Sequence, residues 1–539
     1  MALVLALLFP AALSAQDSLA AATPIPWLAD TLPRQVDSLG RPIIRYVEVD
    51  GSDIFDVPET RSFMSKLMNG LHFATHVRII EREVLLHPGE VYDSSRAAET
   101  ARNLRALGIF RKVRIDTVQT DTGFTLKVYA QDGWSTSLDM RFRSTGKQTD
   151  WQVALIEKNL LGTATYFANR YRHTPDRSSV NFQLRKSRLI AHTIAVQLRY
   201  ETRSDGDRGG VAIERPFFSL SDRAGISTFF DAVNERVLQF RDGGVTASDS
   251  SRRQYLRVQV EGATALRTGS QRYLRLGLQA QVRREDYSIW PNYSGRQTVT
   301  SSIGPFLEWR RANFVVTRGF SRIGRDEDVD VSKFARMGVV AAPELFGYPH
   351  DGVGVYARLR AGAQLPLGFG WLDFAANGLY SGAGLDSGSV TIGVTAAIAL
   401  APHHLLINHA DVGWIKNPQP ATEFDLGFAI GPRAFPIHAF TGDRTYFASS
   451  EYRFIFGEDA FKAVDLGVAG FVDHGGAWFN TETRRTGTDV GIGLRLAPSR
   501  AADSNPTRLD IAYRFGNDVE DAGWVFVVAS GLVFSTQPR

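Results

Sequence analysis

The sequence predicts a mostly β protein in which a small α/β domain precedes a C-terminal transmembrane antiparallel β-barrel of about 16 strands. Apolar residues make up 44% of the 539 residues. No run of about 20 consecutive apolar residues, the length of a spanning helix, occurs in the chain. From residue 134 onward, apolar and polar side chains alternate with a period of two. A barrel accounts for both observations because its strands turn only every second side chain toward lipid.

The composition narrows the classes of protein to which the chain can belong. It has 61 lysines and arginines against 57 aspartates and glutamates, which gives a net charge of +4. This balance, with the ordinary apolar fraction, excludes a disordered chain. The sequence has no cysteine, which excludes a disulfide scaffold, thiol catalysis and metal sites with cysteine ligands.

The first residues have the pattern of a secretory signal. A short apolar run from Leu3 to Leu13 precedes small residues, so residues 1–15 are predicted to be a signal peptide cleaved after Ala15. No lysine or arginine precedes Arg34, so the usual positive start is missing. A buried helix of a cytosolic domain is the alternative. Residues 16–42 carry four prolines and are predicted to be a linker.

Residues 43–132 change their hydrophobic period several times, which predicts a small α/β domain. Asp93 or Ser94 is a suitable cap for a helix, and Gly108 a suitable end. The predicted elements, in chain order, are a strand at Ile44–Gly51, a helix at Thr75–Leu86, a helix between Asp93 and Gly108, and a hairpin of strands at Ile109–Val118 and Phe124–Ala130.

Residues 133–539 are predicted to form the barrel. In the segment Leu274–Val282, for example, leucines alternate with arginine and glutamine. A charged face repeated over hundreds of residues does not suit a soluble sandwich with one dry core, but it suits a wall between lipid and a wet lumen. The period of two and the predicted export also argue against nucleic-acid binding by these arginines. The segment from Val315 to Ala342 has no clear strand pattern.

Two strings in the α/β region resemble a known domain. His87–Asp93 contains a G-x-x-Y turn, and Asn103–Val113 reads L-x-x-L-G-x-F-x-x-V. Both resemble the polypeptide-transport-associated (POTRA) domain, in a single copy at residues 43–132. A generic α/β sandwich of the same element order is the alternative. The resemblance implies that the strand Ile109–Val118, with Phe110, Val113 and Ile115, binds a client or partner by β-augmentation.

The C-terminal third contains three motifs, Leu426–Pro436, Ser450–Phe454 and Phe471–Trp478. Together they resemble the BamA/TamA-like outer-membrane barrels of the bacterial surface antigen family. Leu426–Pro436 resembles the loop that this family folds into the lumen, with the tetrad Pro432, Arg433, Ala434 and Phe435. Ser450–Phe454 and Phe471–Trp478 resemble the next two strands, and the latter includes Gly475. Asn159–Gly162 resembles an early turn of the family.

The resemblance implies that Arg433 enters the lumen and pairs with Glu451 and Asp473, since a guanidinium can bind two carboxylates at once. In the tetrad, Ala434 occupies the position at which the family has glycine. If that position needs a positive φ, Ala434 costs about 1 kcal/mol. We call this attachment of the loop to the wall the loop lock, and Arg444 is the second candidate for its arginine.

By resemblance, the protein assists insertion or translocation of other outer-membrane or secreted proteins. The first and last barrel strands, near Trp134–Phe142 and Trp524–Phe534, would pair weakly and open laterally. The implied location is the outer membrane of a Gram-negative-type bacterium, with the POTRA-like domain in the periplasm. The implied partners are membrane lipids, unfolded clients, and periplasmic chaperones or lipoproteins. The alternatives are a passive channel or surface antigen, and a two-partner secretion pore.

The sequence nominates no catalytic residue, cofactor or metal site. It has no nucleophile elbow, phosphate-binding loop or dinucleotide-binding pattern. Asp326, Asp328 and Asp330 have the spacing of the first ligands of a calcium-binding loop, but Val331 occupies the position at which such a loop needs glycine. We therefore interpret His72 and His76 as surface or packing residues, and His403, His404 and His409 as strand-end residues. The acidic Asp326, Asp328 and Asp330 are interpreted as a solvated loop cluster, with divalent-cation binding at the outer surface as the alternative.

Overall fold

The structure is a computed structural model. It describes residues 36–37, 40–54, 72–120, 123–144, 149–190, 193–240, 249–287, 298–299, 301–346, 350–417, 422–427, 430–501, 506–516 and 521–536. The predicted signal peptide and most of the predicted linker lie outside these residues. No helix among the described residues has both the length and the apolar character needed to cross a membrane.

The first part of the chain forms an α/β unit. Its elements are β1 (Ile44–Ser52), α1 (Val77–Glu81), α2 (Ser94–Ala106), β2 (Phe110–Thr120) and β3 (Gly123–Asp132). The sheet order is β1-β3-β2, with β1 parallel and β2 antiparallel to β3. The predicted element order is therefore present, although α1 is shorter than the predicted helix. The order does not by itself identify a POTRA domain, and that assignment stays a prediction.

Local chemistry explains the boundaries of α2. The carboxylate of Asp93 accepts hydrogen bonds from the backbone N–H groups of Ser95 and Arg96, at 2.8 and 3.3 Å. Such a cap stabilises a helix by about 1 kcal/mol. Gly108 follows the helix with a φ of 67°, which glycine adopts without steric strain. The helices cover one face of the sheet through a core that includes Ile80, Leu104 and Leu126.

The rest of the chain forms an antiparallel barrel. Its strands and the shorter ribbons are β4 (Thr136–Ser144), β5 (Thr149–Glu157), β6 (Thr165–His173), β7 (Ser178–Ile190), β8 (Ile194–Arg203), β9 (Gly206–Arg215), β10 (Ala224–Gln239), β11 (Asp249–Thr268), β12 (Arg272–Tyr287), β13 (Thr298–Val299), β14 (Ser302–Arg311), β15 (Phe314–Thr317), β16 (Glu327–Asp330), β17 (Lys333–Ala342), β18 (Gly352–Leu365), β19 (Gly368–Ser381), β20 (Gly384–Ala401), β21 (His404–Lys416), β22 (Phe424–Leu426), β23 (Phe440–Gly442), β24 (Arg444–Ala460), β25 (Val464–Trp478), β26 (Gly487–Pro498), β27 (Thr507–Gly516) and β28 (Gly523–Ser530).

Twenty of these strands close the barrel among the described residues, so the predicted count of about 16 is wrong. The two-residue β13 only extends the pairing of β12, and the ribbons β15–β16 and β22–β23 lie apart from the wall. The prediction assumed more residues in each turn between strands than the turns contain. The turn between β8 and β9, for example, is only the two residues Ser204 and Asp205, so more strands fit into the same length.

The barrel wall has the alternation that the sequence predicts. On β11, Leu256, Val258 and Val260 face outward and are 49%, 37% and 39% exposed. On the same strand, the side chains of Tyr255 and Arg257 face the lumen. The α/β unit contacts one end of this wall, which we call the proximal end. We call the opposite end distal.

Three segments of the described chain occupy the lumen. One is formed by residues 422–427 and 430–443 of the distal connection between β21 and β24, and we call it the inward loop. The second is the proximal hairpin β15–β16, which explains why the stretch from Val315 has no wall pattern. The third is the C-terminal tail after β28, residues 531–536. Their apolar side chains share one buried core with the inner wall: Phe320, Val329, Val331, Phe369, Trp371, Ala397, Leu405, Ile407, Leu426, Phe435, Ala439, Phe440, Phe447, Ala477, Val533 and Phe534.

The tail corrects the predicted end of the last strand. The sequence pattern continues to Phe534, but β28 ends at Ser530, and Gly531 follows with a φ of 76°. The tail then turns into the lumen, where Phe534 stacks on His409 at a centroid distance of 4.1 Å. Burial of Val533 and Phe534 in the lumenal core favours this path over continued strand pairing.

Candidate functional site

The inward loop is attached to the wall through Arg433. Its Nε and Nη2 donate to the two carboxylate oxygens of Asp473 at 2.5 and 3.1 Å, and its Nη1 donates to Glu451 at 2.7 Å. The side chain is fully buried, and its guanidinium lies 3.7 Å from the ring centre of Phe471. A buried arginine with two carboxylate partners is a rigid connection, because each charge depends on the others for compensation.

The attachment belongs to a larger charged network on β24 to β27. Glu451 also accepts from Arg453 at 2.6 Å and from Arg495 at 2.9 Å. The backbone N–H of Ala434 donates to Asp489 at 3.0 Å. The network comprises four bases and four acids, all less than 9% exposed: Arg433, Arg453, Arg495, Arg508, Glu451, Asp473, Asp489 and Asp510. The alternation of bases and acids gives each arginine of the attachment an acidic neighbour, as a buried charge requires.

The structure brings most of the predicted lock residues together. Phe435 packs against Phe440 at 5.1 Å in the lumenal core, and the Pro432 carbonyl accepts from the Phe435 N–H at 3.3 Å. Gly475 on β25 lies close to β24, since a Cβ there would be 2.6 Å from the carbonyl oxygen of Tyr446. The functional importance of the lock remains a prediction.

Two expectations about the loop differ from the structure. Ala434 is not among the residues with positive φ, so the expected backbone strain is absent there. It is buried beside Phe471 and Val527, and the positive φ falls on Gly431 instead, at 116°. Arg444 does not belong to the charged network, because it begins β24 on the outward side, opposite Trp478 and Trp414.

Sequence reasoning did not nominate the other members of the network. Arg453 belongs to the motif Ser450–Phe454. Because it is two residues from Glu451, both side chains lie on the same face of β24. Asp489, Arg495 and Asp510 lie on strands whose neighbours were not known from the sequence. Only the register, in which Asp473 is opposite Asp489, brings them together.

A second attachment holds the inward loop to the opposite side of the wall. His438 donates through Nε2 to Asp176 at 2.7 Å and through Nδ1 to Asp425 at 2.8 Å. Its ring stacks on Phe240 at 3.6 Å. Burial disfavours the charged imidazolium, but the hydrogen bonds and charges of the two carboxylates prevail and raise its pKa to about 9. The loop therefore spans the lumen between two charged anchors.

The His438 anchor predicts a pH dependence. Its pKa is above the ordinary 6.5, so its stabilising contribution is complete below pH 6.5 and is lost as pH rises through about 9. The maximum contribution is about 3 kcal/mol. We expect the heat-induced unfolding temperature of the barrel to fall between pH 7 and pH 10, and to fall less in His438→Gln. Equal profiles for the two proteins would contradict the anchor.

The barrel closes through a short seam between its first and last strands. Among the described residues, β28 and β4 share only the pairs Val527–Arg143 and Val528–Phe142. The neighbouring ladder of β4 with β5 extends along the whole strand. If β28 and the residues after it continued to pair with β4 in the same register, residue 534 would lie opposite Thr136. Because the tail turns into the lumen, no strand among the described residues lies beside the proximal half of β4 on this edge.

The α/β unit is fixed to the proximal end of the barrel. Arg105 binds Asp328 of the lumenal hairpin at 2.5 and 2.8 Å, and Arg188 of β7 binds Glu83 at 2.6 and 2.8 Å. The Leu220 N–H donates to Glu99 at 2.7 Å. The unit therefore contacts both the wall and the hairpin that occupies the lumen.

The predicted Asn159 turn joins the same region. Asn159 donates to Thr75 at 2.8 Å, and the Gly162 carbonyl accepts from the His76 N–H at 3.0 Å. Gly162 has a φ of 70°, and a Cβ there would lie 2.3 Å from the carbonyl oxygen of Ala74. A larger residue at this position would therefore push the turn away from the α/β unit.

The predicted client edge of the α/β unit lies on β2. This strand is at the edge of the sheet, so one side of its backbone has no partner strand within the sheet. Phe110 is 5% exposed, and Val113 and Ile115 pack against the core of the unit. These side chains therefore pack into the core of the unit and are not available to a partner. Only the backbone of β2 is available for β-augmentation.

The predicted packing residues are distributed over several places. His72 contacts Asp132 at 3.0 Å, and His409 contacts Asp411 at 2.9 Å. His403 occupies a proximal turn between β20 and β21, and His404 at the start of β21 contacts Tyr452. Asp326, Asp328 and Asp330 pair with Arg318, Arg105 and Arg310. The described residues contain no group of histidine and acidic side chains arranged to hold a metal ion.

Comparisons with known proteins give structural likenesses only. No family model matches the chain, and no curated protein matches it. A structure of BamA from Haemophilus ducreyi lacking POTRA domains 1–3 is 11% identical and covers 90% of this chain and 84% of its own, with a TM-score of 0.41. CdiB from Escherichia coli is 10% identical and covers 91% and 77%, with a TM-score of 0.46. These values are too low to identify a family.

Proposed function

We propose that the protein is an outer-membrane barrel that assists the insertion or translocation of other outer-membrane or secreted proteins. One observation carries the proposal: the tail turns into the lumen after Ser530, so that within the described part of the chain no strand pairs with the proximal half of β4 on its seam edge. An unpaired edge is a template for an incoming strand.

The side chains of β4 support this reading. Leu138, Met140 and Phe142 face outward and are 60%, 59% and 49% exposed, as expected of a strand in contact with lipid. Unsatisfied backbone groups are costly in a membrane, by several kcal/mol each. A client strand that pairs with β4 would remove this penalty, so the edge favours a client that is itself forming β-structure.

The lumen favours this function over a passive channel. The inward loop, the hairpin and the tail share one buried core, so a continuous open pore would require at least one of them to leave. A channel, a surface antigen or a secretion pore would each use the same fold, and the experiment below separates them.

The proposal places the distal end at the cell exterior and the α/β unit in the periplasm. There, the free edge of β2 would hold an unfolded client or a periplasmic partner close to the seam. The proximal contacts of Arg105 and Glu83 fix the unit at that position. No cofactor and no catalytic residue takes part in the proposed mechanism, which depends on exchange of strand pairing.

Depletion of the protein, followed by quantitative proteomics of the outer membrane, tests the proposal. We expect other barrel proteins or a secreted client to decrease. A photo-cross-linking residue at Met140 should capture clients, whereas one at Val258, in a fully paired part of the wall, should not. Unchanged levels of all barrels with no capture at Met140 would overturn the assembly function. Conductance without any client defect would instead support the channel.

A further inference from the structure

The outer surface of the wall has a groove that the proposed function does not use. It encloses about 1160 Å³ across β12 to β24. The outward side chains of Leu307, Met337 and Val355 line it and are 43 to 52% exposed. A barrel wall is ordinarily convex toward its surroundings, so a cavity of this size on the outward face indicates an occupant other than the wall itself.

Small residues create the floor of the groove. Ala357 is opposite Ala376, and Gly378 is opposite Gly388, on the adjoining strands β18, β19 and β20. Larger outward side chains surround this floor, including Tyr380 and Trp414. The result is an apolar channel along the wall that a flexible hydrocarbon chain can enter.

The distal rim of the groove is cationic. Lys416 ends β21 and Arg444 begins β24, both on the outward side and both lining the groove. Neither forms an ion pair with another described residue. Asp443 is also at the rim, where its carboxylate accepts the Asn480 N–H at 2.9 Å, so the rim keeps a net positive charge from two cations and one anion. Trp414 is directly opposite Arg444, and Tyr380 also lines the groove; aromatic side chains are enriched at membrane interfaces.

We propose that this groove is a specific binding site for one anionic, phosphate-bearing lipid of the distal leaflet. The acyl chains would occupy the apolar floor between Met337 and Val390, and Lys416 and Arg444 would bind the phosphate. Charge complementarity selects this occupant, because an apolar client segment would leave the two cations without a partner. The inference rests on the proposed membrane placement, but not on the assembly function.

Native mass spectrometry tests the site. The intact protein is inserted in nanodiscs that contain phosphatidylcholine and a minority of phosphatidylglycerol, and the lipids that stay bound after release are measured. We expect the wild type to retain phosphatidylglycerol preferentially. Loss of each cation in Lys416→Gln and Arg444→Gln should reduce this preference about fivefold. Ala376→Phe should reduce retention of both lipids, because it fills the floor.

Two control variants lie away from the groove. Ile492→Phe changes an outward apolar side chain on β26, and Arg236→Gln removes an exposed distal charge on β10. Both should bind lipid as the wild type does. Equal retention of the two lipids by the wild type, or unchanged selectivity in Lys416→Gln and Arg444→Gln, would overturn the site while leaving the assembly function intact. Failure of the wild type to insert into nanodiscs would overturn the membrane placement and the site together.

Discussion

Replacing Arg433 with alanine should destabilise the folded barrel by about 3 to 5 kcal/mol, the range for removal of one partner from a buried ion pair. The variant leaves Asp473 buried without a cationic partner within hydrogen-bond distance among the described residues, although the Ser449 hydroxyl still donates to it at 2.6 Å. Glu451 keeps two arginines, so most of the effect should come from Asp473. The measurement is the temperature or urea concentration at which the protein loses its compact mobility on gels.

Two further variants, one control and one double variant, are needed to interpret the effect of Arg433→Ala on stability. Arg484→Ala also removes a distal arginine, but this side chain is exposed and only stacks on Tyr446 and Trp478. It should change stability by less than about 1 kcal/mol. Adding Asp473→Asn to Arg433→Ala should recover part of the loss, because the uncompensated carboxylate is removed. If Arg433→Ala unfolds like the wild type, the inward loop is not held by this network.

Joining β4 to β28 by a disulfide should abolish client insertion. Phe142 and Val528 are directly opposite in the seam, and opposite residues in a sheet bring their Cβ atoms within about 5 Å. The chain has no cysteine of its own, so Phe142→Cys with Val528→Cys would form a single defined bridge. The measurement is the rate at which purified protein in liposomes folds a β-barrel client, before and after reduction.

The control for this experiment is a bridge within the wall. Met140→Cys with Val153→Cys joins β4 to β5, which are already paired along their length. This bridge should leave activity unchanged, whereas the seam bridge should remove it until a reductant is added. Equal insertion rates for the oxidised and reduced seam variant would show that the seam does not open, and would contradict a mechanism that uses the edge of β4.

Much of the architecture could be predicted from local pattern. Alternation with a period of two is a property of each strand alone, so stretches such as Leu274–Val282 predicted the wall strands directly. The cap at Asp93 and the glycine at 108 likewise bound a helix through interactions within a few residues. The strand count was wrong because turn lengths depend on only a few residues, for which the sequence pattern is weak.

The candidate site was predicted in part, through motif resemblance. Arg433, Glu451 and Asp473 were named together because their motifs are distinctive. Asp489 and Asp510 were missed because their position beside Arg433 and Arg495 depends on the register of neighbouring strands. The His438 anchor was missed for a similar reason: Asp176 is 262 positions away in the chain and meets the loop only across the lumen.

The sequence by itself determined that this chain alternates like a barrel wall, has a preceding α/β region and carries an arginine suited to a buried lock. These properties follow from side-chain chemistry at fixed local spacing. Only the tertiary structure decided what fills the lumen and where the seam lies open. The tail at Val533 and Phe534 has the pattern of a strand, yet among the described residues it does not pair with the proximal half of β4, because a buried apolar core forms around it inside the barrel. Such competition between strand pairing and burial is settled by residues distant in sequence.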